Sequence, residues 1–145
     1  MVLIPGTKSD RTVSYINNTE AKVAENSLQV IAGNIVKLEN NFIGLADSTS
    51  RIEGIAMMTQ NFASDNQTGE KLKVNYIPKK FFGTADIKIS GGLVTQSDVG
   101  KLFNITSLQE IDYATGNFVT GQFRLEEFKQ GGLVGEFSIY DITGN

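Results

Sequence analysis

The stretch KLKVNYI, residues 71–77, alternates between polar and apolar side chains at every step. Leu72, Val74 and Tyr76 fall on one side, whereas Asn75 and two lysines fall on the other. A period of two is typical of a β-strand with one buried and one solvated face, because successive side chains of a strand point to opposite sides. The stretch therefore predicts a half-buried strand whose lysines face the solvent.

The same alternation recurs in the second half of the chain. It is found in TADIKIS (84–90), QFRLE (122–126) and VGEFSIYD (134–141). The positions predicted to face the core are Ala85, Ile87, Ile89, Phe123, Leu125, Phe137 and Ile139. No window of helical length carries apolar residues at the i, i+3, i+4, i+7 spacing of an amphipathic helix. The sequence thus predicts an all-β fold, a small β-barrel or β-sandwich with at most short helical turns.

The distribution of polar and apolar residues changes near residue 28. Residues 1–27 are mostly polar, and we predict that they form an extended N-terminal arm or an edge strand. From Leu28 on, short apolar runs recur at intervals of about ten residues between clusters of Gly, Asn, Asp and Ser, as in a sandwich or barrel. Fifteen glycines and only two prolines favour many tight turns. We expect a single β domain over residues 28–145.

Composition narrows the class of partner. Sixteen acidic against 13 basic side chains give a formal net charge of -3, which is the wrong sign for binding a phosphate backbone, so no nucleic acid partner is expected. The chain has no cysteine and therefore no disulfide or thiolate metal site. The opening MVLIPG lacks the apolar region of a secretory signal, and no run approaches the roughly 18 apolar residues of a membrane span. We expect synthesis in a cytoplasm and no membrane partner.

Few combinations of catalytic residues are possible, because the chain has neither histidine nor cysteine. That removes the commonest general base, the Cys–His nucleophile pairs and the usual zinc ligands. A carboxylate pair, as in glycoside hydrolysis, remains, and its candidates are Glu53, Glu110, Asp112, Glu126 and Glu127. An enzyme would be indicated if two of these shared one cleft. Solvated carboxylates on the wet side of a sheet explain them more simply, so we predict no enzyme, no catalytic residue, no cofactor and no bound metal.

Two loops resemble ligand-binding motifs only superficially. In TQSDVGKLFNI, residues 95–105, we predict a structural turn in which Asp98 occupies the first positions of a short helix and Gly100 ends it in a left-handed conformation. The stretch lacks the first glycine and the final Ser or Thr of a phosphate-binding loop. The loop DNQTGE, residues 65–70, lacks the ligand spacing of a calcium loop, and we predict a hairpin turn with a positive φ at Gly69.

Several segments, in their order along the chain, resemble the small head decoration (capsid cement) proteins of tailed bacteriophages. They are AGNIVKLENNFIGLADSTSRIEGIAMM (32–58), KLKVNYIPKKFFGTADI (71–87), QSDVGKLFNI (96–105), IDYATGN (111–117) and GQFRLEEF (121–128). The shared elements are a glycine-led strand, a turn with alanine and aspartate, a strand ending Ile-x-Gly-Ile-Ala, and an Asp-Val-Gly-Lys turn before an aromatic strand. Here they fall on residues 33–38, 46–48, 52–56 and 98–103, with 112–116 behind them. The resemblance spans about residues 28 to 140.

The resemblance implies a function in the virion. It implies a β domain that binds the outer surface of the assembled capsid, contacts the major capsid protein and stabilises the expanded shell without catalysis. Such domains commonly act as trimers at three-fold positions, so the resemblance favours a homotrimer. It further implies that the protein is made in the host cytoplasm and resides on the outside of the capsid.

The N-terminal segment is where we expect the capsid contact. Its candidate residues are Val2, Leu3, Ile4, Val13 and Tyr15, chosen for the apolar start of the chain and the alternation in TVSYI. Backbone hydrogen bonds from such an arm to a sheet edge give affinity, while alternate apolar side chains give specificity. One alternative is that the segment is the first strand of the barrel. For the whole chain the alternatives are a tail or baseplate component, or a glycan-binding or host-surface-binding module.

Overall fold

The computed structural model describes residues 19–69, 71–81 and 83–140. The strands of these ranges are β1 Glu20–Val23, β2 Gln29–Val30, β3 Ile35–Glu39, β4 Phe42–Leu45, β5 Ile52–Ala56, β6 Gln60–Asn61, β7 Lys73–Pro78, β8 Ala85–Ser90, β9 Leu102–Ile105, β10 Ile111–Asn117, β11 Phe123–Lys129 and β12 Val134–Ile139. Three 3₁₀ turns, Lys79–Phe81, Gln96–Asp98 and Gln130–Gly132, are the helical elements described. None of them is long and apolar enough to cross a membrane. The predicted all-β class is confirmed.

The first half of the chain forms a five-stranded antiparallel sheet in the order β1-β7-β5-β3-β4. The sheet bends round so that its two edges meet at one end. There Ala24 bridges Ile43, and the amide of Glu25 donates to the carbonyl of Ile43 at 2.9 Å. The buried apolar cluster on this side of the sheet consists of Ala24, Leu28, Val30, Val36, Ile43, Ala56, Phe62, Val74 and Tyr76. The short ribbon of β2 and β6 contributes to it.

The second half forms a closed five-stranded barrel in the order β10-β8-β12-β11-β9. Its strands pair antiparallel except β8 and β10, which run parallel. The barrel core also takes in side chains from the opposite side of the sheet, namely Ile35, Ala46, Ile52 and Ile55. One face of strands β3 and β5 therefore packs in the barrel core, and the other face packs in the apolar cluster of the sheet.

The alternation correctly predicted three of the five barrel strands, β8, β11 and β12. Ala85, Ile87, Ile89, Phe123, Leu125 and Phe137 are buried, and Ile139 packs partly buried against the same core. The prediction that Leu72 lies on the buried face of a strand was wrong, since this residue precedes β7 and is 48% exposed. The reason is the side chain of Asn66, which takes both the amide of Leu72, at 3.0 Å, and its carbonyl, at 3.1 Å. The amide of Leu72 is thus bonded to a loop side chain, whereas its carbonyl also accepts the amide of Ala24, the residue after β1, at 3.2 Å.

The predicted hairpin turn at Gly69 is also wrong. Its φ is not positive, and β6 and β7 pair with different strands rather than with each other. The loop between them is organised instead by the buried Asn66, whose amide also donates to the carbonyl of Ala24 at 2.9 Å.

Two buried glutamines connect the sheet to the barrel. The side-chain amide of Gln109 donates to the carbonyls of Ile35, at 3.1 Å, and Ala46, at 3.0 Å, and its oxygen accepts the amide of Ile35. Gln122 donates to two carbonyls of the β4–β5 connection, those of Asp47 and Ser50, at 2.7 Å each. Its oxygen accepts the amide of Ile105 of the barrel at 2.9 Å. These bonds supply backbone partners where no strand pairing joins the two halves.

We predict that Gln109→Leu lowers the free energy of unfolding by on the order of 3 kcal/mol, because it leaves the Ile35 amide and the Ala46 carbonyl without the partner that Gln109 supplies. Urea unfolding followed by circular dichroism measures the change. The control is Gln96→Leu, at an exposed position, with an expected change within about 0.5 kcal/mol. Equal urea midpoints for Gln109→Leu and Gln96→Leu would show that the hydrogen bonds of Gln109 do not stabilise the fold.

Candidate functional site

The sequence-predicted site residues fall into three groups. The capsid-contact candidates Val2, Leu3, Ile4, Val13 and Tyr15 lie outside the described residues. The structural turn lies between β8 and β9, where Asp98 ends the 3₁₀ turn and Gly100 has φ +94°. The third group, the five carboxylates, is spread over both halves of the molecule.

The turn is built around Asp98, whose side chain is only 4% exposed. One oxygen accepts the amide of Thr95 at 2.9 Å, and the other binds the Lys101 ammonium at 2.9 Å. Burial opposes ionisation of Asp98, but the Lys101 ammonium and the Thr95 amide outweigh it and hold the pKa of the carboxyl below its usual range. The charged carboxylate therefore stabilises the folded turn.

We predict that Asp98→Asn lowers the free energy of unfolding at pH 7 by about 1–2 kcal/mol, through loss of the charged acceptor. Because the folded-state pKa of Asp98 is lowered, its contribution is present above the unfolded-state pKa and is lost as the pH falls through the folded value. Urea unfolding at pH 7 and near pH 2 measures both effects. The difference between variant and wild type should vanish at the lower pH, and Asp65→Asn, on an exposed loop, should show none at pH 7.

The five candidate carboxylates lie in separate surroundings. Glu110 pairs with Lys88 at 3.6 Å, and Glu126 pairs with Arg124 at 2.9 Å. The carboxylate of Asp112 accepts a backbone amide of its own turn. Glu127 is exposed. Within the described ranges no two of the five share a binding partner, and no three acidic side chains are grouped so as to hold a metal ion.

Glu53 does meet a second carboxylate, that of Glu20, at the hydroxyl of Tyr76. The hydroxyl lies 2.6 Å from the Glu53 carboxylate and 3.3 Å from that of Glu20. Lys22 adds an ion pair of 3.0 Å with Glu53 and one of 3.6 Å with Glu20. Burial, together with the two carboxylates, raises the pKa of Tyr76, so its hydroxyl stays a hydrogen-bond donor.

This cluster ties three strands of the sheet together, since Glu20 lies on β1, Tyr76 on β7 and Glu53 on β5. Each carboxylate is already occupied by a hydroxyl and an ammonium, which is the arrangement of a structural network. The sequence analysis predicted that Tyr76 faces inward, yet it did not predict its partners. Their separation along the chain leaves no local pattern from which the cluster could be recognised.

The most distinctive surface feature is the connection between β10 and β11, which exposes two large apolar side chains. Phe118 is 65% exposed and Val119 is 72% exposed. The side chain of Asn117 shapes this connection through four hydrogen bonds. Its amide donates to the carbonyls of Thr115 and Thr120 at 2.9 Å each, and its oxygen accepts the amides of Val119 and Thr120 at 2.8 and 2.9 Å.

The base of this apolar tip, residues 117–121, is packed tightly on the barrel. A side chain at Gly116 would overlap the ring of Phe103, and one at Gly121 would overlap the side chain of Leu102. The ammonium of Lys101 lies 5.8 Å from the centre of the Phe118 ring, a cation–π contact. The tip is therefore preorganised, so that little conformational entropy is lost when a partner binds.

The tip was not predicted from the sequence. The pattern that could have indicated it is the string NFVTG, in which an asparagine precedes two apolar residues and a glycine follows. Alternation stops there, so that neither apolar residue is assigned to a core face. An asparagine that bonds to backbone groups a few residues on is typical of a tight turn.

We predict that Asn117→Ala loosens the tip and speeds cleavage by chymotrypsin after Phe118 by about tenfold, the factor that corresponds to a local stability loss of roughly 1.4 kcal/mol. Limited proteolysis with mass spectrometry measures the rate. Asn61→Ala, at an exposed position in β6, is the control and should be cleaved like the wild type. Unchanged cleavage of Asn117→Ala would show that the tip is held by other contacts.

No protein-family model matches the sequence, and no match to a curated protein is found.

Proposed function

We propose that the protein is a non-enzymatic structural virion protein that binds the outer surface of a tailed-phage capsid and stabilises the expanded shell. The observation that carries the proposal is the preorganised apolar tip with Phe118 and Val119 exposed. Large, rigid apolar side chains on a soluble surface are typical of residues that dominate a protein–protein interface. The resemblance to head decoration proteins supplies the identity of the partner, the major capsid protein.

Binding alone is sufficient for such a function. A protein that binds only the expanded shell stabilises that state by mass action, without any chemical step. A surface that spans two capsid subunits would favour the state in which those subunits are in register. Phe118 and Val119 project from one connection, between β10 and β11, and could enter a single apolar pocket of that surface.

The proposal includes a second contact, made by the N-terminal segment. Its apolar start at Val2, Leu3 and Ile4 is suited to a groove on the shell. The segment joins the described structure at Thr19, immediately before the edge strand β1. We also propose a homotrimer, since three linked copies bind a three-fold position with higher avidity than one.

The test mixes the purified protein with expanded phage heads that lack it, sediments the heads and counts the copies bound per capsid subunit. We expect saturable binding and greater resistance of the decorated heads to heat. The copy number identifies the symmetry position. Binding to isolated tails and none to heads would contradict the proposal and would favour a tail component.

We predict that the double variant Phe118→Ser/Val119→Ser weakens head binding by at least about 30-fold, the loss that corresponds to the roughly 2 kcal/mol of an interface hot spot. The matched control is Leu108→Ser, which removes a side chain of 76% exposure from the turn between β9 and β10. Sedimentation titrations give both affinities, and thermal unfolding verifies the folds. Equal binding by the two variants would exclude the tip as a contact.

A further inference from the structure

Two basic side chains lie beside the ring of Phe118. The ammonium of Lys101 is 5.8 Å from the ring centre. A Cβ atom placed on Gly100 would lie 3.8 Å from Nη2 of Arg124 and 3.8 Å from Cε1 of Phe118, so the guanidinium and the ring edge both border this glycine. The apolar tip is thus accompanied by two cations, although the whole chain has a formal net charge of -3.

The carboxylates that pair with these cations are less accessible than the cations themselves. The side chain of Asp98 is 4% exposed and that of its partner Lys101 is 29% exposed. The side chain of Glu126 is 32% exposed, against 46% for Arg124, and its carboxylate also accepts the hydroxyl of Ser138 at 2.5 Å. The surface beside the tip therefore presents more of the cations than of their partners.

The guanidinium of Arg124 keeps one edge for a ligand. Both of its hydrogen bonds to Glu126, at 2.9 and 3.1 Å, come from Nη1, and within the described ranges of the chain neither Nε nor Nη2 has an acceptor. Nε and Nη2 together form a side of the guanidinium that can donate two parallel bonds to a carboxylate. Because Nη2 borders Gly100 and the ring of Phe118, a carboxylate bound there would lie next to the tip.

We propose that the partner's pocket for the tip has a carboxylate at its rim, which binds Nε and Nη2 of Arg124 while Phe118 and Val119 enter the pocket. This inference rests on the proposed function and adds the chemistry of the partner surface. Complementary charges around an apolar contact orient the two proteins and speed their association. An acidic surface is attracted by the cations at the tip and repelled by the net negative charge of the chain, so the charges favour docking through the tip.

A phosphate group is the other anion that suits a guanidinium edge. Binding to a nucleic acid depends on neutralising many phosphates, and the usual sign is a basic stripe or patch on a positively charged domain. Two cations on a chain of net charge -3 do not make such a patch. The charges therefore favour a carboxylate on a protein surface.

The test compares Arg124→Gln with Lys88→Gln in sedimentation titrations on expanded phage heads. Each variant removes one barrel cation that pairs with a glutamate, Glu126 in the first case and Glu110 in the second. At about 0.1 M salt, where charges interact over about 10 Å, we expect Arg124→Gln to bind about tenfold more weakly than the wild type and Lys88→Gln to bind like it. At about 1 M salt the screening length falls to about 3 Å, and the deficit of Arg124→Gln should shrink to about threefold or less.

Thermal unfolding verifies the fold, and chymotrypsin cleavage after Phe118 reports on the conformation of the tip. Equal affinities of the two variants, on heads that bind the wild type, would overturn the inference and leave the proposed function intact. An equal deficit of Arg124→Gln at both salt concentrations would mean that Arg124 only holds the tip in place, and would overturn it too.

Two further outcomes concern the identity of the partner. Binding of the wild type to double-stranded DNA, lost in Arg124→Gln, would assign the arginine to a phosphate and overturn the inference. Failure of the wild type to bind heads at either salt concentration would contradict the proposed function and this inference together.

Discussion

The structure depends on two buried glutamine side chains that serve as backbone partners between the sheet and the barrel. Among the residues that the structure describes, no strand of the sheet pairs with a strand of the barrel, so the polar groups of the β3 to β5 region that face the barrel need partners from side chains. Gln109 and Gln122 provide them, and both are less than a tenth exposed. Burial of these backbone groups without hydrogen bonds would cost about 1–3 kcal/mol for each group.

One of the two glutamines lies beside the surface that we assign to binding. Gln122 immediately follows the apolar tip, and its backbone carbonyl also accepts the amide of Tyr140 at the end of β12. The tip thus projects from a point at which the barrel, the sheet and the last strand are joined. The edge of β1 lies in the other half, where Glu20, Tyr76 and Glu53 hold that strand against β7 and β5.

The predictions that succeeded from sequence were those that depend on a repeating local pattern. The alternation identified the barrel strands β8, β11 and β12, because a strand with one buried face has apolar residues at every second position. The hydrogen bonds of the two buried glutamines were not predicted, since Gln109 and its partner Ile35 are 74 residues apart in the sequence. The tip escaped it because a single asparagine side chain, rather than a pattern, holds Phe118 and Val119 outward. The prediction for Leu72 failed because this residue precedes β7 and its amide is bonded to the side chain of Asn66, in a loop.

Our proposal that the protein binds the capsid through its preorganised tip can be tested by electron cryomicroscopy of expanded heads saturated with the protein. We expect ordered copies on the outer surface of the shell, with residues 117–121 of each copy inserted into the major capsid protein. Ordered copies whose tips point into the solvent, or heads without additional density, would contradict it.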